Sequence, residues 1–67
     1  MHYIIYSSQS EIALRQGERN VAIQALEDYG YAQPKRWLAK LEKTASESKS
    51  KTASGQVQGL RVVISDA

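Results

Sequence analysis

Cysteine is absent from this 67-residue chain, and histidine, tryptophan and proline each occur once. Without cysteine the chain forms no disulfide bond and no thiolate metal site, and one histidine cannot make a histidine cluster around a metal. We therefore expect no cofactor and no bound metal. A domain of this size buries only about 60% of its unfolded surface. Helix packing or a partner chain has to supply the rest of its stability.

Long hydrophobic runs are also missing. The longest apolar stretch is Tyr3–Tyr6, and runs such as Val62–Ile64 are shorter still, far short of the roughly 20 residues that a membrane-spanning helix requires. Residues 1–9 lack the basic segment and the long apolar core of a signal peptide. These features, together with the absence of cysteine, predict a cytoplasmic protein without a membrane partner.

The motifs of common enzyme classes are not found. The glycines occur at positions that match neither a P-loop nor a dinucleotide-binding fingerprint; they are Gly17, Gly30, Gly55 and Gly59. A catalytic triad needs a base held firmly in a cleft, whereas His2 and Asp66 lie near the chain ends, where fraying is expected. We expect a protein that is not an enzyme.

The charge of the chain is unevenly distributed, although its formal net value is only +2. The segment up to Pro34 contains two basic and four acidic residues, which gives a net charge of −2. The segment from Lys35 to Lys51 contains six basic and two acidic residues, which gives a net charge of +4. Such a basic segment either attracts an anionic partner or forms a solvated surface.

The segment HYIIY at residues 2–6 predicts a β-strand, because β-branched and aromatic residues are concentrated there. Tyr3 and Ile5 share one face of this strand, and Ile4 and Tyr6 share the other. Both faces are apolar, so we expect a central position in the sheet or a contact with another molecule.

A helix is predicted next, beginning near the capping-box pair Ser8 and Glu11 and running through Gly17 to Tyr29. The apolar periodicity is clear from Val21 to Tyr29 and weaker before it. The alternative is two shorter helices that turn at Gly17. Gly30 is expected to end this helix in the left-handed conformation.

The second predicted helix begins at Pro34, which suits the first helical position. Its apolar side contains Trp37, Leu38 and Leu41, and its opposite side is basic. The segment 44–55 is rich in Ser, Thr and Lys and predicts a mobile loop. Leu60, Val62 and Ile64 alternate with more polar positions and predict a closing, half-buried strand.

These elements predict one α+β domain over residues 1–67 with the order β-α-α-β. Two antiparallel helices would pack on a sheet made from the two terminal strands. Such a two-stranded sheet has two open edges, which invite pairing with another chain. A homodimer with a continuous sheet is therefore one hypothesis. The order strand–helix–helix also occurs in ribbon-helix-helix proteins, but His2, Ile4 and Tyr6 are poorly suited to read bases.

The first functional hypothesis is a small non-enzymatic binding or regulatory protein, of the accessory or inhibitor type, that docks onto a protein partner. Tyrosine offers a large contact area together with a hydroxyl group, which suits such interfaces. The candidate interface residues are Tyr3, Tyr6, Tyr29 and Tyr31.

The alternative hypothesis is nucleic-acid binding. The basic helix 34–43 could contact successive phosphates through four side chains: Lys35, Arg36, Lys40 and Lys43. In addition, the spacing of Ala13, Gly17 and Ile23 resembles a degenerate helix-turn-helix over residues 9–28. That resemblance would place three polar side chains on a recognition helix: Arg19, Asn20 and Gln24.

Overall fold

The computed structural model describes residues 1–66, which form four strands and two helices. The first half contains strands β1 and β2 followed by helix α1: His2–Ser7, Ala13–Gly17 and Arg19–Asp28. The second half contains helix α2 followed by strands β3 and β4: Pro34–Glu47, Thr52–Val57 and Leu60–Ser65. The predicted α+β class is confirmed, but the predicted order β-α-α-β is wrong, because each terminal strand belongs to a hairpin.

The four strands form one antiparallel sheet in the order β2-β1-β4-β3. The terminal strands β1 and β4 lie side by side, with Tyr3 opposite Ile64 and Ile5 opposite Val62. Their antiparallel pairing is the one expected from a chain whose two helices lie between its end strands. β1 therefore lies centrally in the sheet, which is one of the two alternatives expected from its two apolar faces.

The helix predicted from residue 8 through Gly17 is wrong over its first half, because Ala13–Gly17 is strand β2. β2 pairs with the outer edge of β1, where Gln16 lies opposite Ile4 and Arg15 opposite Ile5. This pairing satisfies the backbone groups along the second edge of β1. The weak helical periodicity of residues 12–19 cannot compete with that gain.

The serines before β2 form a turn instead of capping a helix. The backbone N–H of Ser10 donates to the carbonyl of Ser7 at 3.1 Å, and the N–H of Ile12 donates to Oγ of Ser10 at 3.0 Å. Serine side chains readily form such local bonds, which compete with helix formation. The capping-box pattern of Ser8 and Glu11 therefore does not begin a helix here.

The end of α1 and the beginning of α2 are as predicted. Gly30 has φ +88°, and its N–H donates to Glu27 at 3.0 Å while that of Tyr31 donates to Leu26 at 2.9 Å. These two bonds form a Schellman motif, which requires a left-handed residue at the position of Gly30. α2 begins at Pro34, whose missing N–H costs nothing in the first turn.

The loop predicted at 44–55 is much shorter than expected. Residues 44–47 form the last turn of α2, residues 52–55 belong to β3, and only 48–51 connect the two. Ala45 is fully buried and Ala53 packs against the core, so these two small side chains of the segment are part of the packing. A strand of small residues carries little apolar signal, which explains why the pattern resembles a loop.

Both helices pack on one face of the sheet, where α1 contacts β1 and β2 and α2 contacts β3 and β4. The core lies between the two layers, and its largest fully buried side chains come from both: Ile5, Leu26, Leu38, Leu60, Val62 and Ile64. Within residues 1–66, no helix has both the length and the apolar character needed to cross a membrane.

Candidate functional site

The face of the sheet opposite the helices carries an apolar centre. Since side chains alternate along a strand, the burial of Tyr3, Ile5 and Val62 beneath the helices places their neighbours on the other side. We call this surface the open face and define it by residues on three strands: Ile4 and Tyr6 on β1, Leu14 on β2, and Arg61 and Val63 on β4. Four of its members are half-buried, and Leu14 is 46% exposed.

Tyr6 and Arg61 form a stacked pair in the middle of the open face. They are direct neighbours across β1 and β4, and the guanidinium carbon of Arg61 lies 4.4 Å from the centroid of the Tyr6 ring. A cation–π contact of this geometry is favourable. It holds a positive charge beside the apolar centre formed by Ile4 and Val63, which are also cross-strand neighbours.

A second surface lies where α2 overhangs strand β3, at the edge of the sheet. This groove has a volume of about 230 Å³ and is lined by six residues of the two elements: Trp37, Lys40, Leu41, Thr44, Gly55 and Gln56. We call it the edge groove. Trp37 and Leu41 are half-buried and form its apolar wall, while Lys40 is exposed at its rim.

The four candidate interface tyrosines do not form one surface. Tyr3 is 2% exposed and belongs to the core, while Tyr6 lies on the open face. Tyr29 is 49% exposed at the end of α1. Tyr31 is half-buried and packs edge-on against Trp37, with ring centroids 6.4 Å apart. Tyr6 alone combines an outward position with apolar neighbours on the sheet.

The hydroxyl of Tyr3 donates a hydrogen bond to the Glu42 carboxylate, and Nε of Arg19 approaches the same carboxylate oxygen at 2.8 Å. Burial, and then the hydrogen bond and the negative charge of Glu42, raise the pKa of Tyr3 to about 12. This cluster joins β1, α1 and α2. It stabilises the fold and leaves the Arg19 guanidinium directed towards α2.

The basic side chains of α2 that the nucleic-acid hypothesis names lie on the surface of the protein. All four of them are exposed: Lys35, Arg36, Lys40 and Lys43. Glu42, the acidic residue among them, is turned towards Arg19 and Tyr3. Its charge is therefore compensated inside the molecule, and Glu47, in the last turn of α2, is the acidic residue that this helix exposes.

The helix-turn-helix predicted at 9–28 is wrong as a structural motif. Its first helix would include Ala13–Gly17, which is strand β2. Arg19 pairs with Glu42, and Gln24 donates to Asp28 at 2.9 Å, while Asn20 is exposed. These three side chains share α1 but lack the preceding helix that such a motif uses to cross the DNA backbone.

The edge groove could not be recognised in the sequence, because the composition of residues 52–57 is typical of a loop. One signal does point to it. Gln58-Gly59 immediately precedes the β4 segment LRVVIS, and a turn dipeptide before a strand predicts a partner strand on its other side.

The chain matches no known protein-family profile, no curated protein and no solved structure.

Proposed function

We propose that this protein is a non-enzymatic binding module that docks onto a protein partner through the open face of its sheet. One observation carries the proposal: the central strands present Ile4, Tyr6 and Val63 on a face that neither helix covers. In antiparallel sheets with one solvated face, the outward positions are normally polar. Apolar residues at three central outward positions favour burial against another surface.

The chemistry of the open face defines the kind of partner. Ile4 and Val63 suit an apolar patch, because burying aliphatic surface is the main driving force of association. Arg61 suits a carboxylate at the border of that patch, since a guanidinium held on an aromatic ring keeps its donors available. The partner is therefore expected to present apolar side chains next to an acidic one.

Site-specific photo-crosslinking in the cells that express the protein tests this proposal. The photoreactive residue p-benzoylphenylalanine replaces Tyr6 in one variant and Tyr29, on the helix side, in a matched control. We expect a discrete adduct with a second protein from position 6 and none from position 29. An adduct only from position 29 would contradict the proposal. An adduct of twice the chain's own mass would identify a homodimer instead of a separate partner.

A purified partner then permits a quantitative test. Val63→Thr keeps the branched shape of the side chain but places a hydroxyl in the apolar centre, and we expect at least about tenfold weaker binding in calorimetry. Ser46→Thr is the control, because Ser46 is exposed on α2, on the opposite side of the molecule from Val63. Unchanged affinity of the Val63→Thr protein would remove the open face from the interface.

Nucleic-acid binding through α2 remains the second candidate, favoured by the inward position of Glu42. Charge reversal at Lys43 should weaken duplex DNA binding in a mobility-shift assay, and binding should fall steeply between about 50 and 200 mM salt. Arg61→Glu changes the net charge equally but lies on the opposite side of the molecule. Equal losses in the two variants, or no retention at low salt, would contradict a specific role for α2.

A further inference from the structure

The two edges of the sheet differ in how they are protected against pairing. The β2 edge has an irregular register between Ile5 and Tyr6, and on its helix side Arg15 forms an ion pair with Asp28 of α1 at 2.8 Å. Bulges and inward-facing charges are known devices that prevent strand addition. They make β2 a poor template for another strand.

Within the described residues, the β3 edge has neither an irregular register nor an inward-facing charge. Thr52–Val57 contains no charged residue and no proline, and its pairing with β4 is regular over all six residues. Its first four residues, Thr52 to Gly55, are small, so an incoming backbone can approach closely there. An uncharged, regular edge strand is a template for a further strand.

The hydrogen-bonding pattern between β3 and β4 shows which backbone N–H and C=O groups of β3 point away from β4, towards the position of an added strand. The N–H of Asp66 donates to the carbonyl of Lys51 at 2.8 Å, which marks this pair as hydrogen-bonded. Since antiparallel pairs alternate between bonded and non-bonded positions, residues 53, 55 and 57 bond to β4. The backbone groups of Thr52, Ser54 and Gln56 therefore point outward from the sheet.

The edge groove adjoins this row of outward groups at Gln56, which lines it together with Gly55. A strand added to β3 would be about 4.8 Å further out, and every second side chain of it would face the helix layer. There it meets the apolar wall of Trp37 and Leu41 beneath α2. The groove volume of about 230 Å³ suits aliphatic side chains of such a strand.

The charge at the rim of the edge groove specifies a further property of the ligand. Lys40 lines the groove and is exposed, and Arg36 and Lys43 lie on adjacent turns of the same helix. β3 itself is uncharged, so these cations face no compensating carboxylate from the strand. A ligand that carries carboxylates next to its apolar side chains is complementary to this rim.

We propose that the β3 edge and the edge groove bind an extended acidic peptide segment, which adds antiparallel to β3, inserts aliphatic side chains beneath Trp37 and Leu41 and pairs a carboxylate with Lys40. This site lies at the sheet edge and is independent of the open face.

Backbone methylation of a synthetic peptide tests the mode of binding. The probe is a fluorescein-labelled peptide of about eight residues, in which threonine and leucine alternate and two glutamates follow. In antiparallel addition, a peptide residue that bonds to Thr52, Ser54 or Gln56 has its side chain on the same face of the sheet as that partner. The threonines thus bond to β3 while the leucines enter the groove. N-methylation of the threonines should abolish the anisotropy change, and N-methylation of the leucine nitrogens should preserve it.

Charge exchange tests the role of Lys40. Lys40→Glu should weaken binding of the glutamate peptide about tenfold, and a peptide with lysines in place of the glutamates should recover affinity for this variant. Lys35→Glu is the matched control, because Lys35 is exposed in the first turn of α2 and does not line the groove. Equal losses in the two variants would overturn the assignment of Lys40.

Two further outcomes would overturn the proposal as a whole. They are equal effects of the two methylation patterns, and no binding of the unmodified peptide at about 1 mM, the limit of a weak complex. The photo-crosslinking at Tyr6 reports on the open face, so its result does not depend on this peptide. A Val63→Thr protein should bind the peptide with unchanged affinity, which separates the two surfaces.

Discussion

The indole ring of Trp37 lies on the backbone of Gly55, so closely that a Cβ atom at residue 55 would be 2.9 Å from Cζ2 of the ring. Real Cβ atoms do not approach other atoms this closely, so any side chain at position 55 displaces the indole. This contact connects α2 to the edge strand β3. It also explains why a strand beside the core contains a glycine at that position.

Gly55→Ala should therefore displace Trp37 and destabilise the protein by about 1–3 kcal/mol, the usual cost of overpacking. Trp37 is the single tryptophan of the chain, so its fluorescence reports the displacement directly as a shift to longer wavelength. The measurement is urea unfolding followed by tryptophan emission. Ser54→Ala, on the exposed side of the same strand, should change neither stability nor emission. Unchanged emission of the Gly55→Ala protein would show that the ring does not rest on β3.

Tyr3 should make stability depend on pH in the alkaline range. Its folded-state pKa is raised to about 12 from an ordinary value of 10.0, so folding favours the protonated phenol. The stabilisation is fully present below about pH 10 and is lost as pH rises through about 12. Because solvent partly screens the pair with Glu42, we expect a loss of about 1–2 kcal/mol.

The check on this prediction is the difference between the wild-type protein and Tyr3→Phe, measured by urea unfolding from pH 8 to about pH 12. Subtraction removes the titration of lysines, which both proteins share. The difference in unfolding free energy should shrink as pH rises. A difference that is constant across this range would contradict the raised pKa of Tyr3.

The ion pair between Arg19 and Glu42 should contribute more than the pair between Arg15 and Asp28. Both have N–O distances of 2.8 Å, but the Glu42 side chain is 17% exposed, whereas both members of the second pair are about 40% exposed. A double-mutant cycle with Arg19→Met and Glu42→Gln should give a coupling of about 1 kcal/mol. The corresponding cycle with Arg15→Met and Asp28→Asn should give a smaller value. Equal couplings would show that burial of Glu42 does not strengthen its ion pair.

The β3–β4 turn can be improved by one substitution. Gln58 and Gly59 have φ values of +52° and +74°, which are typical of a two-residue type I′ turn. Asparagine tolerates this conformation better than glutamine, so Gln58→Asn should stabilise the protein by about 0.5 kcal/mol. The lost bond from Gln58 to Gly30 is long, at 3.3 Å, and exposed. Gly59→Ala, in contrast, should destabilise the protein in the same thermal unfolding experiment, since alanine resists a positive φ.

Several elements could be predicted because their residues carry the relevant information locally. The β1 and β4 segments are rich in β-branched or aromatic residues, and α2 has an apolar side around Leu38 and Leu41. Gly30 and Pro34 mark the boundary between the helices by their own backbone preferences. In each case the physical cause lies within a few neighbouring residues.

The two edge strands could not be predicted in this way. Ala13–Gly17 and Thr52–Val57 contain few large apolar residues, and each becomes a strand by pairing with a central strand far away in the sequence. The absence of bulk at Gly55 is itself a consequence of the position of Trp37. These strand pairings and contacts join residues that are far apart in the sequence, so local β-propensity is a weak guide to them.

For the candidate surfaces, too, some features could be predicted from local sequence and others depend on the tertiary structure. Alternation in HYIIY was enough to place Ile4 and Tyr6 on the face opposite Tyr3 and Ile5, and composition was enough to show that the chain has no cysteine chemistry. Which of these faces the helices cover depends on packing between distant segments. Burial of Tyr3 and exposure of the face around Tyr6 therefore emerged only from the assembled fold, because a strand's own residues do not specify on which side the rest of the chain will pack.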